Sequence, residues 1–116
     1  MAVPHAVERM SMIKIKVSRV RPEKVDRLKA WLAEGMRRAD EIRETFVNEG
    51  VTHEQGLLLS TADGPVFVYV VECADYEAAA KAFRDSPFPI DAEHKAVLAE
   101  VLDGEVEAPL LLDVRL

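Results

Sequence analysis

Residues 12–20 (MIKIKVSRV) alternate between apolar and polar. Ile13, Ile15 and Val17 share one face, and Lys14 and Lys16 the other. That period of two predicts a half-buried strand. Pro22 then stands at a helix start, where its missing N–H costs nothing. Val25, Leu28, Leu32, Gly35, Ala39, Ile42 and Phe46 follow at steps of three and four. They form one apolar stripe and predict a helix over 22–48. Asn48-Glu49-Gly50 ends it, with Gly50 as the left-handed residue. Strands are predicted at 51–61 and 65–73. Ala62-Asp63-Gly64-Pro65 between them reads as a hairpin turn. Asp75 is a helix N-cap ahead of the alanine-rich segment 77–83. Ser86-Pro87-Phe88-Pro89 breaks that helix, Asp91 caps another over 92–102, and Gly104 stops it. The last predicted strand is 109–116 (PLLLDVRL), with Leu110, Leu112, Val114 and Leu116 on one face.

The order of elements is β-α-β-β-α-β, with the second helical region split in two. It predicts an α+β, ferredoxin-like fold: a four-stranded antiparallel sheet with helices on one face. The 65–73 strand is apolar on both faces, with Val66, Val68 and Val70 opposed to Phe67, Tyr69 and Val71. A strand of that kind is buried on both sides, and one layer of helices covers only one. The expected cover is a second copy, giving a homodimer through the open sheet face in the manner of a dimeric α/β barrel. Residues 1–11 lack a usable period and contain Pro4. They are expected to be a flexible leader to a single domain spanning 12–116.

Composition narrows the partners. The net charge is −6, with Lys and Arg dispersed along the chain. Phosphate binding needs clustered positive charge, so nucleic acid is not an expected partner. No apolar run is long enough to span a bilayer, so no membrane is expected either. The single cysteine, Cys73, ends an apolar strand and reads as a small buried hydrophobe. The absence of a signal-like segment makes the cytoplasm the expected compartment.

No phosphate loop, paired-cysteine motif, metalloprotease motif or serine elbow is present. The candidate chemistry rests on polar residues in apolar patterns. His53-Glu54-Gln55 puts polar groups on both faces of its strand, and a carboxylate or imidazole in a dry cavity is poised for proton transfer. His94 lies on the apolar face of its helix and in the first turn, where the dipole favours neutral imidazole. Asp91 is placed to cap that helix and orient the ring. His94, Asp91 and Glu54 are the candidate catalytic residues. His53, Trp31 and Tyr69 are secondary ligand-facing candidates. His53, Glu54 and His94 have suitable types for a metal, but their spacing carries no signature, and neither metal nor cofactor is expected. Lys14, Lys16, Asp113 and Arg115 share a parity that suggests charge pairing across a dimer seam.

Several segments carry a family resemblance. They are the MIKIKV start, the long charged helix ending in Asn48-Glu49-Gly50, the Glu54 strand, and YVVECADYEAAAKAF. The most specific is the run Ser86-Pro87-Phe88-Pro89-Ile90-Asp91, followed three residues on by His94. From Met12 onward the chain resembles a family of small, mostly bacterial ferredoxin-like proteins of unknown function. That resemblance implies the fold and Glu54, Asp91 and His94 as site residues, with no established activity. The element order is more distantly similar to the dimeric α/β-barrel superfamily, which includes cofactor-free monooxygenases, isomerases and haem-binding relatives. This is an analogy of fold alone. Together these readings suggest a homodimeric small-molecule-binding or cofactor-independent enzyme-like domain, or else a non-catalytic dimerisation module.

Overall fold

The structure is a computed structural model that describes residues 11–116. The expected leader over 1–11 lies outside the described residues but for Ser11. The strands are β1 (Met12–Val20), β2 (Val51–Thr61), β3 (Gly64–Cys73) and β4 (Leu102–Val106). The helices are α1 (Val25–Arg37), α2 (Ala39–Glu49), α3 (Tyr76–Arg84) and α4 (Pro89–Val101). The strand order is β2-β3-β1-β4, and all neighbours are antiparallel. β1 and β2 therefore run parallel with β3 between them, which is the split βαβ plan the sequence predicts.

The long first helix is interrupted. A 3-10 turn over Pro22–Lys24 leads into α1, and Arg38 leaves helical geometry at φ −106°, ψ 30° before α2 begins. The Arg38 guanidinium binds Glu41 at 2.8 Å and reaches across to Glu93 of α4 at 2.6 Å. α2 ends at Gly50, whose φ of 73° is the left-handed cap the sequence predicts. The Asp75 side chain caps α3 by accepting from the Ala78 N–H at 3.2 Å.

α4 starts earlier than expected. Pro89 occupies its first position and Phe88 is the N-cap, so Asp91 lies within the first turn and makes no capping hydrogen bond. The final strand is also elsewhere. β4 is Leu102–Val106, and Gly104 is not a helix stop. It sits at φ 92° where the β1–β4 register shifts, so it is the glycine of a bulge. Residues 107–116, including the predicted strand 109–116, form no strand.

Helices cover one face of the sheet. On that face Val20 and Phe67 pack with Leu28 and Trp31 of α1 and with Ile90, Val97 and Val101 of α4. A second cluster joins Val51, Val71, Cys73 and Ala79. Leu28 is 0% exposed, and burial of that extent contributes roughly 1.5–3 kcal/mol. The other face is open among the described residues. The register places Ile13, Ile15 and Val17 beside Glu72, Val70 and Val68, with Leu57 and Leu59 beyond. About half of the surface of Ile13, Ile15, Leu57 and Leu59 is exposed. Lys14 and Lys16 lie on the helix-covered face near its edge. Lys16 pairs with Glu105 at 3.0 Å, and the Lys14 ammonium stands 5.4 Å from the centre of the Tyr76 ring. The two lysines therefore face away from the open side of the sheet. No described helix is long and apolar enough to cross a membrane.

Candidate functional site

A backbone irregularity brings Glu54 to the helix-covered side. The β2–β3 register runs Val51↔Cys73 and then His53↔Glu72, which leaves one extra residue in β2 at Thr52. This bulge reverses parity. Val51 faces the helices above it, and Glu54, Gly56 and Leu58 face them below it. His53 and Gln55 turn to the open face.

Glu54 accepts a hydrogen bond from the Tyr69 hydroxyl, which comes from the neighbouring strand. Burial pushes the Glu54 carboxyl above its usual range. The Tyr69 bond opposes that shift and the charge of Asp91 adds to it. The Tyr69 hydroxyl is raised by burial first and then by Glu54. Glu49, the last residue of α2, joins the group. Burial, Asp91 and Glu54 raise its carboxyl to about 7, and Lys95 draws it partly back. Asp91 is 6% exposed. Its Oδ2 and the Oε2 of Glu49 are buried with no hydrogen-bond partner among the described residues.

His94 follows Asp91 by one turn of α4. The Trp31 indole N–H donates to its Nδ1 at 2.8 Å. The ring stacks on Trp31 at 6.1 Å between centroids, and Phe83 meets it edge-on at 5.8 Å. An Nδ1 that accepts belongs to a neutral ring whose hydrogen is on Nε2. Burial holds the imidazole below its ordinary pKa, and Asp91 pulls the other way. Trp31, not Asp91, is therefore the group that orients the ring.

The structure thus places Asp91 within reach of both Glu54 and His94, with Tyr69 bonded to the first and Trp31 to the second. It separates His53, which is exposed on the other face. Sequence reasoning missed Glu49. The available signal was a glutamate on the last turn of a helix, where the macrodipole disfavours negative charge. Cys73 is fully buried, and that burial raises its thiol. No group of three His, Cys, Asp or Glu among the described residues is arranged to hold a metal ion. Chemically, the cluster offers a Glu49 carboxyl able to take up a proton near neutral pH, a Glu54 carboxyl raised by burial, and a neutral imidazole whose N–H has no partner among the described residues.

Two grooves lie elsewhere. One, of about 410 Å³, runs along β1 beside Glu105–Pro109. The other, of about 370 Å³, is lined by Val25, Leu58, Pro22 and Pro65 among others. Neither is lined by Glu54, Asp91 or His94.

A conserved protein from Methanosarcina mazei Go1 has a similar structure, with a TM-score of 0.54 at 20% identity over 89% of this chain and 92% of that one. A Nitrosomonas europaea protein of unknown function gives a TM-score of 0.49 at 20% identity over 90% and 98%. At that identity the first likeness is one of fold alone. No curated protein matches the chain. The model of a family of unknown function, DUF6176, matches residues 10–115, and the chain belongs to that family.

Proposed function

We propose that this chain is a homodimeric small-molecule-binding protein of enzyme-like character, with His94, Asp91 and Glu54 as its polar groups. The observation that carries this reading is the Asp91 carboxyl, buried with an unpartnered oxygen beside two further carboxyls. A buried acceptor left unpaired costs about 1–3 kcal/mol. A residue serving packing alone would be apolar there. The ligand class that suits the cluster is a small amine or amide, whose N–H groups supply the missing donors. Asp91, Glu49 and Glu54 would accept hydrogen bonds from its N–H groups, and the Nε2–H of His94 would donate to the carbonyl oxygen of an amide.

The homodimer rests on the open face, where exposed Ile13, Ile15, Leu57 and Leu59 form a contiguous apolar surface. Such a surface marks an interaction site. Light scattering at micromolar concentration should return twice the chain mass of 12.9 kDa. A soluble monomer that binds no apolar dye would remove the dimer from this reading.

The site is tested by titrating the protein with small amines and amides while following the His94 ring by NMR. Shifts are expected in the native chain and not in Asp91→Asn, and that variant should melt no lower than the native chain because a negative charge beside Glu49 and Glu54 is gone. Absence of shifts in the native chain, or a loss of several kcal/mol in Asp91→Asn, overturns the site. A purely structural dimerisation module would then be the better reading, on the strength of the same apolar face.

A further inference from the structure

We propose that residues 109–116 add as a strand to the outer edge of β2 in a second copy of this chain. The proposal rests on the dimer reading above and specifies how the copies exchange segments.

Three observations point there. The segment is apolar and alternating yet bare: Leu110, Leu111, Leu112, Val114 and Leu116 are each at least 71% exposed. A strand-like segment in that state lacks a partner. Among the described residues no strand pairs with it. Continuing the Val17↔Val106 register would set Leu110 beside Ile13 and carry Leu112 past Met12, where β1 begins. Pro109 also has no N–H to give to that ladder. Finally, β2 is an edge strand of 11 residues that pairs only with β3, so its outer backbone groups are unpaired among the described residues.

The side chains match on both faces. Leu57 and Leu59 lie on the open face and Leu58 on the helix-covered face. An added strand carries the same arrangement in Leu110, Leu111 and Leu112. Leu110 and Leu112 would then pack on Leu57 and Leu59, continuing the apolar face that the dimer buries. Leu111 would enter the groove of about 370 Å³ beside Leu58, Val25, Pro22 and Pro65. Backbone hydrogen bonds give affinity in strand addition, and side-chain pockets give register.

The test compares the full chain with a chain ended after Ala108, and with full-length Leu111→Arg in case the shorter chain folds poorly. Mass in solution and amide hydrogen exchange are read for each. The full chain should be a dimer with slow exchange at the outer-edge amides of β2. Both variants should dissociate at least tenfold more readily and lose that protection. A synthetic 109–116 peptide added to the shorter chain should restore the protection. If both variants stay dimeric with β2 exchange unchanged, the strand exchange is wrong and the sheet-face dimer stands. If the full chain is a monomer with fast-exchanging β2, the dimer and the exchange fall together.

Discussion

His94 shows what one neighbour can decide. Nδ1 is held by the Trp31 N–H at 2.8 Å, so protonating that nitrogen would set two donors face to face. Burial already disfavours the charged ring, and the indole reinforces the preference. Trp31→Phe keeps most of the packing and deletes the donor. It is expected to cost about 1–2 kcal/mol and to let the ring titrate nearer its ordinary value, as read from the ring-proton shifts against pH. An unchanged titration would show that burial alone sets the ring's charge. The sequence placed His94 on the buried side of its helix but not its partner. Trp31 is 63 residues away in the chain, and no local pattern encodes a contact of that range.

At the scale of elements, Gly56 of β2 sets how closely β3 packs. A Cβ built at Gly56 would stand 2.8 Å from one carbon of the Phe67 ring and 2.9 Å from another. The ring fills the space a side chain would take. Gly56→Ala is expected to destabilise by about 1–3 kcal/mol through displacement of a core aromatic, measured by urea unfolding. A neutral result would mean that Phe67 has room to move. The elements themselves were largely legible. β2 runs over the predicted residues, β3 and α3 fall within one residue of their predicted starts, and the caps at Gly50 and Asp75 follow known chemistry. The final strand was not legible, because Leu102-Asp103-Gly104-Glu105-Val106 has poor strand propensity and forms on the free edge of β1 through a glycine bulge. Of the more strand-like 109–116, residues 112–116 would lie past the start of β1 in that register. The bulge at Thr52 was equally hidden, and it decides whether Glu54 or His53 faces the helices.

At the scale of the whole molecule, two titrating groups pull stability in opposite directions. The Glu49 carboxyl is raised from an ordinary 4.5 to about 7. Its contribution is therefore full below pH 4.5 and is lost as pH rises towards 7. The His94 ring is lowered from 6.5, so its contribution is full above pH 6.5 and is lost as pH falls below that. Glu49→Gln removes the first effect alone. The variant should match the native chain near pH 4.5 and exceed it above pH 7 by about 1–2 kcal/mol, after discount for a partly wet side chain. Melting curves across that range check the sign, and a variant less stable at pH 8 would contradict it. The strand order has a consequence in time. β1 precedes the other described strands and lies inside the sheet, yet its neighbours are β3 and β4, and β4 arrives some 85 residues later. Pairings at that separation are slow to close. On the ribosome β1 waits, uncovered on one edge, until β4 has emerged.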